Sequence, residues 1–324
     1  MPSLSTAEPR PAAPDLARAR AALTVKPGFL IRRMMQTVAA RFSQPRSQTD
    51  LTLTQFETLS VVAAQPGADQ STAARCLGMD RSTMTVVVDT LSRRGLVERR
   101  PTSDRRRRLL ALTPAADKLL PAAKARHRAA DDHLAGRLSP RRSEALREAL
   151  RSVASHSGAL AAPWTPLATH APGAAAGPGD LDYLYRSFAL LTRRCCQIWS
   201  AHFMAVASRH EITPGQYSLL FMVEAAGEID QFDLALLAGG ERSTADLVVR
   251  LLEKRGLVDR RIDRQDRRRR IAWVTGAGRD LLAELGDSVR HTNDRTFGHL
   301  GQEGLAEMSD SLRAIIDAPG PPAA

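Results

Sequence analysis

Apolar residues recur along this chain with a helical period, and they do so twice. Met84, Val87, Val88 and Leu91 fall on one face of a helix predicted over 81–94, and Ala245, Val248, Val249 and Leu252 form a matching stripe later on. Asp80 precedes the first stripe as a good N-cap, and Glu241, a poorer one, precedes the second. Gly95 and Gly256 follow as helix stops. Upstream of each stripe the pattern predicts a long amphipathic helix (28–42 and 181–210). A second helix (55–64 and 216–225) and a short one (69–77 and 230–237) come next, with Gly78 and Gly239 in the turn before the stripe. Downstream, Leu-Val, a run of charge and a short apolar segment (109–112 and 271–274) predict a β-hairpin. Long helices close each half over 114–134 and 139–156, then 278–300 and 302–316, with Ser139-Pro140 as an N-cap and N1 pair. The expected fold is mainly α with small β-hairpin wings: two helix-turn-helix domains, each with long flanking helices.

The two halves are copies. Arg81-Ser82-Thr83 recurs as Arg242-Ser243-Thr244, and Arg94-Gly95-Leu96-Val97 recurs as Arg255-Gly256-Leu257-Val258, both at an offset of 161. At that offset 51–103 and 212–264 share 21 of 53 residues, and 81–100 alone shares 12 of 20, too many for common composition. The copies are assigned to 24–157 and 181–318. Between them 158–180 is dominated by Ala, Pro and Gly and is expected to be a linker without a core of its own. Residues 1–23, rich in Pro, Ala and Arg, are expected to be a disordered arm, and 319–324 a disordered tail.

A chain of 324 residues suits two domains of this kind. Lys and Arg total 46 against 35 Asp and Glu, a formal charge of +11 that favours an anionic partner. Most of the positive charge is arginine, which suits phosphates and base edges. Three cysteines, Cys76, Cys195 and Cys196, without framework spacing argue against a secreted disulfide protein. No apolar stretch is long enough to span a bilayer and no secretory h-region is present, so a cytoplasmic, nucleoid-associated location is expected.

Two constellations carry chemistry. A helix that enters the major groove must present polar side chains near its N-terminus, and Arg81, Ser82, Thr83 and Thr85 meet that need, as do Arg242, Ser243 and Thr244. The second constellation is the hairpin tip. Asp104 precedes Arg105, Arg106, Arg107 and Arg108, and Asp266 precedes Arg267, Arg268, Arg269 and Arg270. Four consecutive arginines repel one another, so a tip of this kind serves phosphates or a narrow minor groove better than it serves folding. The aspartate can accept charge-assisted bonds that aim a neighbouring arginine. One such run reads equally well as a solvated loop; two runs downstream of the same helix do not.

Helix, Gly-Leu-Val, basic hairpin with Asp-x-Arg, short apolar strand and closing Thr resemble the MarR-type winged helix-turn-helix regulators. The pattern is Arg94-Gly95-Leu96-Val97, Asp104, Arg106 and Leu112-Thr113, then Arg255-Gly256-Leu257-Val258, Asp266, Arg268 and Val274-Thr275, with nine positions from Asp to Thr in both. The resemblance covers about 28–156 and 181–316. It implies a sequence-specific, double-stranded-DNA-binding transcriptional regulator on a pseudopalindromic operator, commonly a repressor released by an aromatic or phenolic effector. It implies that Arg106 and Arg268 enter the minor groove and that Asp104 and Asp266 orient them. It also implies pairing of two domains through their terminal helices, either within one chain as a pseudo-dimer or between two chains. Copy two departs from copy one where Thr85 becomes Asp246, which phosphates would repel, and has one extra wing residue. Asymmetric readout is therefore expected.

Weaker signals remain. Trp199, His202 and Phe203 lie near one face of a helix and are candidates to line an effector pocket, with helix packing as the plain alternative. Cys195 and Cys196 beside Arg193 and Arg194 suggest a thiol-based redox sensor, with buried inert cysteine as the commoner outcome. A nonspecific architectural DNA-binding protein is a further alternative, and an acidic protein partner for the wings another. No catalytic constellation, cofactor loop or metal-ligand spacing is present, so neither enzyme activity nor a cofactor or metal is expected.

Overall fold

The computed structural model describes residues 16–42, 50–101, 108–156, 164, 181–240, 242–263, 266 and 268–318. The elements of the first copy are α1 (Leu16–Thr24), α2 (Pro27–Phe42), α3 (Leu53–Ala64), α4 (Gln70–Leu77), α5 (Arg81–Arg93), β1 (Val97–Pro101), β2 (Arg108–Leu112), α6 (Pro114–Ala135) and α7 (Pro140–Ser155). The second copy runs α8 (Asp182–Tyr185), α9 (Phe188–Ala207), α10 (Pro214–Ala226), β3 (Ile229–Asp230), α11 (Gln231–Ala238), α12 (Arg242–Lys254), β4 (Val258–Ile262), β5 (Arg270–Val274), α13 (Gly276–Phe297) and α14 (Gly301–Ile316). The mainly helical fold with two small hairpins is the one the sequence predicts.

Three expectations are corrected. Residues 16–23, assigned to a disordered arm, form α1, whose Ala19 and Leu23 are buried. The long helix expected over 181–210 is broken at Arg186 and Ser187 into α8 and α9, and ends in a 3-10 turn over Ser208–His210. Trp164, within the Ala/Pro/Gly stretch, is not free of the core: its Nε1 donates to the Cys76 carbonyl at 3.2 Å, and its ring meets Tyr185 edge-on at 6.5 Å. The rest of that stretch, residues 1–15, the C-terminal tail and Glu241 lie outside the described residues.

Two compact units form, and they cut across the repeat boundaries. One joins α1 to Val206–His291, and in it α1 packs on α10 and α11. The other holds Leu30–Ala205 and the chain from Thr292 onward. Its core gathers Phe42, Phe56, Leu59, Leu77, Met84, Val88 and Leu91 from the first copy with Leu181, Leu184, Tyr185 and Leu190 from the start of the second. In the same unit α7 packs on α14. Each unit thus takes a helical segment from the other copy, which buries apolar faces that neither copy covers alone.

Local chemistry fixes the helix-turn-helix. Asp69 and Asp80 cap α4 and α5, accepting from Thr72 N and Thr83 N at 2.8 Å, and Asp230 caps α11 through Asp233 N at 2.8 Å. Gly78 and Gly239 end α4 and α11 in the left-handed region, at φ 60° and 65°, where a side chain costs about 1 kcal/mol. The closing Thr of the hairpin motif has a mechanical role. Thr113 Oγ1 donates to the Gly95 carbonyl at 2.7 Å and Thr275 Oγ1 to that of Gly256 at 2.6 Å, tying each wing to the end of the helix before it. The same oxygens cap α6 and α13. Arg94 and Arg255 turn inward to the carbonyls of Asp50 and Glu211, both at 2.7 Å. Those two acceptors are the only described non-glycine residues with positive φ, 39° and 51°, so this arginine pins a strained bend at the same place in each copy.

β1 and β2 pair antiparallel from Val97↔Leu112 to Pro101↔Arg108. In copy two the order is β3-β5-β4, whereas copy one keeps only a single bridge, Asp69↔Leu109, in place of β3. Tightness behind the second hairpin makes Gly278 irreplaceable: a Cβ there would lie 2.2 Å from the Leu257 carbonyl oxygen and 2.6 Å from Val274 Cγ1. Gly278→Ala is expected to destabilise the chain by about 2 kcal/mol or more, read as a lower denaturant midpoint with an unchanged slope.

Candidate nucleic-acid interface

In copy one, α4, α5 and the wing strands enclose a polar cleft of about 300 Å³ lined by Asp69, Gln70, Ser71, Arg81, Thr85, Arg99 and Arg108. Asp80 organises its edge. Besides capping α5 it accepts from the hydroxyls of Ser82 and Thr83, and these bonds, that of Ser82 foremost, hold its carboxyl down at about 2. Arg81, Ser82, Thr83 and Thr85 are all exposed at the start of the helix. Thr85 Oγ1 donates to the Arg81 carbonyl at 2.8 Å and accepts from Gln70 Nε2 at 2.6 Å. Arg99 is aimed by an ion pair with Asp89. Gln70, Ser71 and Arg99 were not anticipated as cleft residues, whereas Arg108 belongs to the arginine run of the wing. A signal for two of them was present, because Gln70 and Arg99 recur as Gln231 and Arg260 at the 161 offset.

Asp80→Ala removes a cap and two hydroxyl anchors, so a loss of about 1–2 kcal/mol is expected at neutral pH. An acid whose folded pKa is depressed stabilises above its unfolded value and loses that contribution as pH falls toward the folded one. The gap between wild type and variant should therefore shrink between about pH 4 and the Asp80 value of about 2. Denaturation midpoints at pH 7 and pH 2.5 check this, and an equal gap at both would refute the capping role.

The same face of copy two is chemically different. Asp246, standing where copy one has Thr85, accepts from Gln231, from Arg260 at 3.1 Å and from Arg250 at 2.6 Å. Arg260 is further held by Glu253. Its side chain, 10% exposed, is neutralised inside the fold and not offered to solvent. In the wing, the Arg269 guanidinium binds Asp230, the α11 cap, with Nε to Oδ2 at 2.7 Å. Asp266 Oδ1 accepts the Arg268 backbone N–H at 2.9 Å, which shapes the turn at the wing. Asp104, Arg105, Arg106, Arg107 and Arg267 lie outside the described residues.

The other candidates separate clearly. Trp199 and Phe203 stack at 5.3 Å, but Trp199 Nε1 donates to Asn293 Oδ1 at 2.8 Å and His202 Nδ1 lies 2.9 Å from Thr296 Oγ1. Their polar atoms join α9 to α13, the arrangement of helix packing. Cys195 is fully buried, with its Sγ 3.4 Å from the Leu150 carbonyl, and burial pushes its thiol far up. Burial pushes Cys196 up to about 12. Burial disfavours the thiolate of both, which opposes the redox reading. Sequence reasoning passed over a stronger site on α9. Arg193 pairs with buried Glu57 at 2.7 Å and donates to the Leu77 carbonyl at 3.1 Å. Arg194, 1% exposed and drawn down to about 10 by desolvation, lies over the Trp164 ring and within 3.2 Å of where a Gly78 Cβ would be. Both arginines thus abut the turn that sets α5.

Residues 49–108 and 212–269 match family models described as the MarR family. The transcriptional regulator HosA of Escherichia coli O111:H- is 30% identical over 111 residues, 33% of this chain and 80% of the relative. The chain belongs to the MarR family. It is a tandem MarR-type winged helix-turn-helix regulator of the DNA-binding repressor type. The HTH-type transcriptional regulator FarR of Neisseria gonorrhoeae is 30% identical over 113 residues, covering 35% of this chain and 77% of that one. Among solved structures, the PcaV transcriptional regulator of Streptomyces coelicolor in complex with its natural ligand is 31% identical. It covers 40% of this chain and 91% of its own, with a TM-score of 0.36. These relatives are described as regulators, not enzymes. Among the described residues no helix is long and apolar enough to cross a membrane.

Proposed function

We propose that the chain is an operator-specific repressor acting in the cytoplasm, in which the two copies pair within one molecule and the first does most of the reading. The observation that carries this is the contrast between the open polar cleft around Arg81, Thr85 and Arg99 and its neutralised counterpart around Asp246 and Arg260. In this reading α5 lies in the major groove, and Arg105, Arg106 and Arg107, ordered by Asp104, reach the minor groove. Copy two contributes Arg268 at its wing and little from Arg242, Ser243 and Thr244, with Arg269 held by Asp230. Intramolecular pairing is supported by the exchanged segments: α1 on α10, Leu181–Leu190 in the first core, and α7 on α14.

An effector is proposed beside the turn and not at Trp199. An aromatic molecule carrying an acid group would meet Trp164 together with the charges of Arg193 and Arg194, and would displace contacts that hold Leu77 and Gly78. That couples ligand to the angle of α5.

The test is fluorescence anisotropy with DNA from upstream of the chain's own gene against scrambled competitor at physiological salt. A preference of about a thousandfold, with affinity falling steeply as salt rises, is expected of a specific regulator. Tight binding without preference would replace this reading by an architectural one.

A further inference from the structure

The outward faces of α11 and α12 are not those of a DNA reader. On α11 Phe232 is 65% exposed and Leu236 64%; on α12 Leu247 is 51% and Leu251 44% exposed. Each pair is spaced i, i+4, so each lies on one face, and α11 packs against α12. Ile262 at the end of β4 adds another exposed apolar side chain, at 56%. Copy one is an internal control. At the offset of 161 the same five positions hold Ser71, Arg75, Val86, Thr90 and Pro101. The buried positions of the two helices match, so burial does not explain the change; on the outward face Ser71, Arg75 and Thr90 are replaced by Phe232, Leu236 and Leu251, while Val86, 66% exposed, is apolar in copy one as well.

What would cover it follows from charge and area. The flanking charges are Arg242, Arg250 and Lys254 against Asp233, Asp246 and Glu253, formally neutral, where copy one carries Arg81, Asp89 and Arg93 with Thr72, Thr85 and Ser92. A formally neutral face offers phosphate no net attraction. Mixed signs around an apolar centre are compatible with a two-fold axis, under which bases of one copy face the acids of the other, although Asp246 and Glu253 are already paired with Arg250 and Arg260 within the chain. The five side chains expose on the order of 500 Å², at the upper end of the apolar patches that monomers tolerate. Two such faces together bury on the order of 1,000 Å², the lower bound of a specific interface.

We infer that the α11–α12 face of the second copy docks on the same face of a second chain, so that the duplicated helix-turn-helix has become a self-association module. The inference goes beyond the DNA-binding reading and stands without it. Two chains joined in this way carry two first-copy readers on one assembly.

Sedimentation velocity of the full chain without DNA, between about 1 and 50 µM, tests it; a small interface associates in this range. The expected result is a species of two chains that dissociates on dilution. Leu247→Glu should weaken it at least tenfold. So should the combined Phe232→Ser, Leu236→Arg and Leu251→Thr, which places first-copy residues on a fold that already accepts them. Val86→Glu, at the equivalent position of copy one, should leave association unchanged. Unaltered circular dichroism melts confirm that the variants fold, and if Leu247→Glu fails that check the combined variant decides. A wild-type chain that stays single throughout would overturn the inference. So would a two-chain species that survives both variants, since it would place the interface elsewhere, as in pairing of the terminal helices between chains.

Discussion

Thr85→Asp is expected to weaken operator binding by the full chain about 10- to 100-fold, while Asp246→Thr leaves it unchanged or tightens it. The two substitutions exchange one residue between equivalent positions, so they isolate the chemistry from the fold. Thr85 sits in the second turn of α5, between Gln70 and the cleft arginines. An aspartate there acts twice. It sets a carboxylate against phosphate, and it offers Arg81 and Arg99 an internal partner, as Asp246 already does for Arg260 at 3.1 Å. Losing one to two polar contacts to DNA, at about 1.4 kcal/mol each, gives that range. Helix stability moves little, since the Asp80 cap is untouched. Anisotropy titrations at one fixed salt concentration check the pair, and the salt slope should be shallower for Thr85→Asp as phosphate contacts are lost. Equal effects from the two substitutions would remove the basis for asymmetric reading.

That contrast was half legible in the sequence. Thr85 against Asp246 marks a drifted reader, and the repeated Arg-Gly-Leu-Val, the capping Asp80 and the glycines at 78, 95, 239 and 256 place every helix-turn-helix element to within a few residues. These signals are local: a cap, a stop or an apolar stripe acts within one or two turns. What was not legible depends on distant partners. Arg99 and Arg260 are the same residue in the same motif, yet one is aimed by Asp89 toward the cleft and the other is neutralised by Asp246 and Glu253. Helix α1 carries arginines among alanines and reads as a solvated arm until α10 covers Ala19 and Leu23. Trp164 stands alone in a Pro/Ala/Gly tract, and its contacts with the Cys76 carbonyl, Tyr185 and Arg194 show its place. Arg193 and Arg194 drew notice as neighbours of two cysteines, whereas the partners of Arg193 lie more than a hundred residues away in the first copy and Arg194 lies over Trp164.

Those partners set the second large effect. Arg193→Met is expected to destabilise the chain by about 3–5 kcal/mol at pH 8, because it strands Glu57 in the core. The Glu57 side chain has 0% exposure, and burial raises its pKa even with the guanidinium of Arg193 2.7 Å away. A carboxyl raised in the folded state takes up its proton more readily there than in the unfolded chain. Its ionisation therefore costs stability as pH rises from the unfolded value of about 4.3 through the folded one. Removing Arg193 takes away both its charge and its hydrogen bond and drives the folded value higher still. The deficit of the variant should accordingly be smaller at pH 5 than at pH 8, and Glu57→Gln in the same chain should recover much of it by removing the charge. Urea denaturation of the single and double variants at the two pH values measures this. The ion pair joins α9 of the second copy to α3 of the first, so the same experiment bears on the pairing of the copies. A deficit under 1 kcal/mol, independent of pH, would mean that Glu57 reaches water in solution, and that the second copy's helix does not seal the first copy's core.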